Sequence, residues 1–216
     1  MNRFSINLFV NGANAYEFFI NKDKFNYTKL YSDGIFLTHL LNLFGKDCVR
    51  TSFDFTSLAA NVLEDAQSSG NSILFIGGLE SELNSFSNNI LQLYPLLKFN
   101  CIHGYHHDYS VYFNFIINNK PSIIIIGLGF PKQELFLRNI VKYYDNFIGY
   151  TCGAFISQTS IKSQYYPRLV NKLNLRWFYR ATFNSHVRKR LLFDYPRFLL
   201  KFLFCRDFRN LILNSF

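Results

Sequence analysis

The chain lacks several features that would narrow its role at once. Among 216 residues it has one Met, one Trp and five Pro. Its four cysteines, Cys48, Cys101, Cys152 and Cys205, form no C-x-x-C pair and no regular framework. No disulfide scaffold is therefore expected, and the pattern fits reduced thiols in a cytosolic protein. No run of 18 apolar residues occurs, which predicts no transmembrane span. No basic segment followed by an apolar one opens the chain, so no secretory signal is expected. The phosphate loops G-x-x-x-x-G-K-[ST] and G-x-G-x-x-G are both missing. No internal repeat or low-complexity linker is visible.

Acidic residues are scarce at one end only. Residues 1–167 hold twelve Lys/Arg and twelve Asp/Glu. Residues 168–216 hold eleven Lys/Arg against Asp194 and Asp207, so the whole net charge of +9 lies there. A tail of this kind suits a polyanionic partner, either nucleic acid or an anionic membrane surface. The 26 Phe and 14 Tyr are abundant but carry no functional signal by themselves.

Strand-like and helix-like patterns alternate. Short apolar strands are predicted at 6–10, 73–76, 97–102, 123–126 and 147–150. Helical patterns cover 35–44, 57–67, 80–93, 111–118 and 132–144, with Thr56 placed to cap the second. This βαβα order predicts an α/β fold built on a Rossmann-like parallel sheet. Three strands end in glycine, at Gly77-Gly78, at Gly127 and Gly129, and at Gly149 and Gly153. Ligands on such sheets bind beyond the carboxyl ends of the strands.

The densest signal is the stretch Ile123-Ile124-Ile125-Ile126-Gly127-Leu128-Gly129-Phe130-Pro131-Lys132-Gln133-Glu134. A four-Ile run suits a strand covered on both faces. The glycines let another group approach the backbone, and a helix opening at Pro131 favours an anion at its N-terminus. Lys132 and Glu134 also read as solvated residues of a first helical turn, where Glu134 complements the helix dipole. Asp33-Gly34 reads on its own as a turn or cap. His103, His106, His107 and Asp108 lack zinc-ligand spacing and read as a loop.

The full G-x-G-x-P-K-Q-E string resembles the signature of the WecG/TagA/CpsF family of bacterial glycosyltransferases. Further similar segments are Asn14-Ala15, Asp33-Gly34, Arg50 with Asp54, Phe75 to Gly78, Tyr94-Pro95, Gly104-Tyr105, 149–155, Pro167 and Trp177 to Arg180. Gly12 stands where the family has Thr, and Arg176 where Glu precedes the Trp. Tyr166 replaces a small residue before Pro167.

The resemblance implies an inverting transfer from a UDP-sugar to a polyprenyl-diphosphate-linked glycan in surface polysaccharide synthesis. The sugar would be N-acetylmannosamine-like, a related hexosamine or a uronic acid. It makes Asp33 the base that takes the acceptor proton, with Gln133 at the sugar. It points to Asn14, Arg50, Gly77, Gly78, Gly104, Tyr105, Gly127, Gly129, Pro131, Lys132, Glu134 and Gly153 as substrate-binding residues. Arg180, Arg188 and Arg190 join them from the tail. No D-x-D occurs, so metal-independent stabilisation of the diphosphate by backbone N–H groups and arginines is expected, with no cofactor.

Three segments are expected: an N-terminal subdomain over 1–70 carrying Asp33, a nucleotide-sugar subdomain over 71–166, and a basic appendage over 167–216. The appendage interleaves Arg188, Lys189, Arg190, Arg197 and Lys201 with Leu and Phe. It is expected to form an amphipathic helix pair broken at Pro196 and lying on an anionic membrane. The protein would then be peripheral at the inner face of the cytoplasmic membrane, with no nucleic-acid partner and a homo-oligomer left open. The different-class alternative is a non-catalytic α/β protein that grips nucleic acid with the same tail.

Overall fold

The computed structural model describes residues 4–162, 165, 167, 169–170, 175–183 and 185–216. Its strands are β1 (Ser5–Val10), β2 (Lys29–Ser32), β3 (Ile73–Gly77), β4 (Phe99–Ile102), β5 (Ile123–Gly127) and β6 (Ile148–Thr151). The described helices are α1 (Ala15–Ile20), α2 (Ile35–Leu43), α3 (Leu58–Ser69), α4 (Glu80–Leu93), α5 (Ser110–Asn119), α6 (Lys132–Ile140), α7 (Phe155–Ile161), α8 (Arg176–Phe183), α9 (Ser185–Phe204) and α10 (Arg206–Leu213). The strands form one sheet in the order β2-β1-β6-β5-β3-β4, with parallel pairing throughout. The expected α/β, Rossmann-like architecture is thus the observed one.

Sequence and position agree best at the sheet centre. Ile123 to Ile126 of β5 are all buried, as are Ile73 to Ile76 of β3 between β5 and β4. β-branched residues suit such strands because their stiff side chains pack on both faces of the pleat. The helix expected over 132–144 ends at Ile140, and the one expected over 57–67 runs from Leu58 to Ser69. The short elements α1, β2 and α7 were not legible in the pattern. β2 reads Lys-Leu-Tyr-Ser, too short and polar to stand out.

The chain divides into two compact units. One comprises Met1–Leu8, Phe25–Lys29 and Ser52–Tyr165; the other comprises Phe9–Lys24, Leu30–Thr51 and Tyr166–Phe216. In the first, α4 and α7 pack together, and Phe86 of α4 meets Phe75 of β3 and Phe155 of α7 edge-on. In the second, Phe198 and Phe202 of α9 are fully buried. They pack among Phe36, Phe44 and Phe208.

Here the tail departs from expectation. α9 runs without interruption from Ser185 to Phe204 with Pro196 inside it, so Pro196 does not separate two helices. An internal proline costs a helix about 3 kcal/mol. Burying each of two phenylalanines returns about 1.5–3 kcal/mol, enough to hold the helix together across it. The tail's apolar residues are therefore divided. Phe198 and Phe202 are core, while Leu192, Phe193, Leu200, Leu203 and Phe204 are exposed.

Candidate active site

Within the first unit, β3 and β5 lie side by side with Gly77 paired to Gly127. The strand after β3 lies on one side of this pair, and the strand after β5 on the other. The chain leaves β3 and β5 in opposite directions, and open α/β sheets form a ligand crevice at such a point, beyond the carboxyl ends.

The glycines at this crevice are packed backbone to backbone. A Cβ at Gly77 would sit 2.7 Å from the Gly127 carbonyl oxygen, and one at Gly127 would collide with the Gly153 carbonyl. A Cβ at Gly104 would lie 3.1 Å from Gly77 Cα. The Gly104 N–H donates to the Gly78 carbonyl at 2.9 Å. The structure thus brings Gly77, Gly78, Gly104, Gly127 and Gly153 together on one rim. Gly129 differs: its surroundings are open, and its φ of +76° explains the glycine, because other residues rarely adopt that backbone. Tyr105 is exposed on the loop after β4. That loop is held by Tyr112, whose hydroxyl donates to the His103 carbonyl at 2.9 Å, and by the stacked rings of His103 and His106. Among the described residues no three His, Cys, Asp or Glu side chains gather as a metal site.

Two acidic residues occupy the helix starts beside this rim. Glu82 caps α4, where its Oε2 accepts from the Leu79 N–H at 2.8 Å and from Ser157 Oγ at 2.7 Å. The protein's own carboxylate therefore takes the anion position of that helix. At α6, after the cis Phe130-Pro131 bond, Pro131 and Lys132 are exposed, but Gln133 is 5% and Glu134 1% exposed. Glu134 is thus a buried residue rather than a solvated one, contrary to one of its two sequence readings. Gln133 Nε2 donates to Glu134 Oε1 at 2.9 Å. Gln133 Oε1 and Glu134 Oε2 are buried without a hydrogen-bond partner. Each unpaired buried polar atom costs about 1–3 kcal/mol. Burial pushes the Glu134 carboxyl up to about 7, only partly offset by the bond from Gln133 and by its own backbone N–H. A sequence signal for this existed. Phe136, Leu137 and Ile140 form the buried stripe of α6, and Gln133 opens that stripe at the i, i+3, i+4, i+7 spacing.

The second unit holds Asp33. The Asp33 N–H donates to the Val10 carbonyl at 2.7 Å. Gly34, at φ +105°, then turns the chain into α2, a backbone that side chains disfavour. The Ser32 and Thr38 hydroxyls share a 2.9 Å hydrogen bond beneath this turn. The Asp33 side chain is 32% exposed and lies 4.0 Å from the Arg50 guanidinium, itself 21% exposed. The Thr51 N–H donates to the Ser32 carbonyl at 2.9 Å, which ties the Arg50 segment to the end of β2. A part-exposed ion pair of this kind contributes little to stability. Asn14 is buried, and its Oδ1 accepts from the Asn11 N–H at 2.7 Å, shaping the turn after β1. At Gly12 a Cβ would lie 2.7 Å from the Tyr195 ring of α9 and 2.9 Å from Phe36. Tyr195 therefore occupies the space that a side chain at position 12 would need.

The tail arginines are engaged locally. Arg188 Nη1 donates to the Ala181 and Thr182 carbonyls at 2.9 and 3.3 Å, capping the end of α8. Arg190 pairs with Asp194 at 3.7 Å. The Arg180 side chain lies outside the described residues. Arg197, not among the expected site arginines, stacks over Tyr16 at 3.9 Å and lines an open groove with Leu200, Lys201 and Phe204. No described helix is long and apolar enough to cross a membrane.

Known proteins are similar to this chain. A profile of the Glycosyl transferase WecG/TagA/CpsF family matches residues 25–211. The chain is similar to a UDP-Gal:alpha-D-GlcNAc-diphosphoundecaprenol beta-1,4-galactosyltransferase of Shigella boydii. Identity is 33% over 178 residues, covering 81% of this chain and 75% of that protein. It is also similar to an N-acetylglucosaminyldiphosphoundecaprenol N-acetyl-beta-D-mannosaminyltransferase of Bacillus subtilis (strain 168). There identity is 26% over 132 residues, covering 61% of this chain and 51% of the relative. A Staphylococcus aureus (strain NCTC 8325 / PS 47) protein of the same name is 26% identical over 111 residues, or 50% and 43%. The chain thus spans about half the length of these two mannosaminyltransferases.

Proposed function

The chain belongs to the WecG/TagA/CpsF family of glycosyltransferases, and from that premise we propose that it moves a sugar from a UDP-sugar to a polyprenyl-diphosphate-linked N-acetylglucosamine. The observation that carries this reading is the crevice where β3 and β5 part, rimmed by close-packed glycines and followed by the Gln133–Glu134 pair. The donor lies there, its nucleotide against the glycine rim and its sugar at Gln133. The transferred group is a neutral hexose, an N-acetylmannosamine-like hexosamine or a uronic acid. The product feeds a bacterial surface polysaccharide.

Asp33 is the base. It takes the proton of the acceptor hydroxyl as that oxygen bonds to the anomeric carbon. The bond from that carbon to the diphosphate breaks, and UDP leaves with the electron pair. Arg50 holds the Asp33 carboxylate in place. The absence of any D-x-D supports a metal-independent reaction, with arginines and backbone N–H groups meeting the charge on UDP. The exposed apolar residues of α9, set beside Lys189, Arg197 and Lys201, suit an anionic bilayer and keep the enzyme at the inner membrane face.

Purified protein tests this with a panel of UDP-sugars and a polyprenyl-diphosphate-N-acetylglucosamine acceptor, measuring UDP release. Asp33→Asn should lower kcat about 10²–10⁴-fold while UDP binding persists. A panel in which no donor is consumed would sink the transferase, and an active Asp33→Asn would sink its base. Turnover should also survive EDTA. Loss restored by Mg²⁺ or Mn²⁺ would overturn the metal-free step.

A further inference from the structure

The turn after β3 carries a carboxylate that is only half used. Glu82 folds back over the start of α4, which places it at the carboxyl end of the sheet, where the β3–β5 crevice opens. Gly78 makes room for it. Gly78 stands at φ +70°, and a Cβ there would meet Glu82 Oε2 at 3.0 Å and Ile156 at 2.9 Å. Two donors, the Leu79 N–H at 2.8 Å and Ser157 Oγ at 2.7 Å, fix Oε2. Ser157 belongs to α7, so the turn after β3 is tied to the helix that follows β6. The other oxygen, Oε1, has no bonding partner among the described residues and is not sealed from solvent. Capping α4 needs one oxygen of the carboxylate. The second is held in place by the first and left open.

An ionised carboxylate only accepts hydrogen bonds, so it repels a diphosphate and suits hydroxyl or N–H donors. One carboxylate oxygen accepts about two hydrogen bonds. A nucleotide offers a matching pair of donors in the adjacent hydroxyls of its ribose. We propose that Glu82 is a specificity-determining residue that holds the ribose hydroxyls of the nucleotide through Oε1. This rests on the UDP-sugar reading above and adds to it which part of the donor faces α4. The diphosphate lies away from α4, because Glu82 already fills the anion position at that helix start. Ser157 is a positioning residue, since its hydroxyl fixes Oε2 and thereby aims Oε1.

Calorimetry on the full chain tests this with UDP, 2′-deoxy-UDP, 3′-deoxy-UDP and N3-methyl-UDP. With wild type, loss of at least one ribose hydroxyl should weaken binding about 10- to 100-fold, as expected for a hydrogen bond to a charged group. In Glu82→Ala the same loss should cost less than about 3-fold, since the partner is already gone. Glu82→Gln keeps an oxygen for the Leu79 N–H and turns the open position into an amide donor. It should melt close to wild type and show a deoxy penalty below about 5-fold, so the question survives if the alanine variant folds poorly. A Glu82 that only caps α4 would alter the melting temperature and leave the deoxy penalties equal in all three proteins, which would overturn the proposal. Penalties absent at both hydroxyls would overturn it too, as would a Glu82-dependent loss confined to the N3-methyl compound, which puts the base there instead. UDP release from the donor panel is a separate reading. Glu82-dependent ribose discrimination without turnover would uphold this site and sink the transferase. Turnover with undiminished discrimination in Glu82→Ala would do the reverse.

Discussion

Replacing Glu134 by glutamine should stabilise the protein by an amount set by pH. In the folded chain the carboxyl is held at about 7, against an ordinary value of 4.5, chiefly because burial disfavours its charged form. Below about pH 4.5 the residue is protonated in both folded and unfolded states, and it contributes no pH dependence. Between 4.5 and 7 the unfolded chain releases the proton while the folded chain keeps it. The folded state then binds more protons, so stability falls as pH rises. Above about 7 both states are ionised and the penalty is constant. A tenfold change in proton affinity is worth about 1.4 kcal/mol, so the gap between 4.5 and about 7 amounts to about 3 kcal/mol. Glutamine is nearly isosteric, can still accept from Gln133 Nε2, and never ionises. Thermal melts of both proteins from pH 5 to 8 read the effect. The variant should gain little at pH 5 and melt roughly 6–12 °C higher at pH 8, at the 2–4 °C per kcal/mol of a chain this size. Parallel curves across that range would refute the reasoning, because they would mean the carboxylate is solvated or paired in the folded state.

Other outcomes follow from the second unit. Gly12→Thr should cost about 1–3 kcal/mol, since its Cβ meets the Tyr195 and Phe36 rings. In a Tyr195→Ala background the same change should cost distinctly less; an equal loss in both backgrounds would disprove the steric account. Phe193→Ser with Phe204→Ser, both at exposed sites, should leave the melting temperature nearly unchanged. The pair should reduce co-sedimentation with phosphatidylglycerol vesicles, and unaltered vesicle binding would count against the membrane face of α9.

Legibility in the sequence followed distance along the chain. The four-Ile strand, the glycine turn and the helix after Pro131 were readable because burial on both faces, a tight turn and a helix start are local demands. The glycines were readable as a set but not for their reason. Only the fold shows that Gly77, Gly104 and Gly127 have another backbone where a side chain would go, while Gly129 and Gly153 stand in open space and are glycine for their φ. The break expected at Pro196 failed for a similar reason. Local propensity penalises a proline there, but phenylalanines at 36, 44 and 208 bury Phe198 and Phe202 and hold the helix.

The sequence by itself determined the α/β alternation, the strand-end glycines, the Asp33-Gly34 turn, the basic tail and the family to which the chain belongs. Tertiary structure decided that β3 and β5 part in opposite directions to open a crevice, and that Arg50 stands beside Asp33. It also decided that Glu134 is buried rather than solvated. Periodicity and turn chemistry act over a few residues, and a sequence displays them directly. Strand order, desolvation and charge pairing depend on which distant segments meet, and they arise only when the chain has packed.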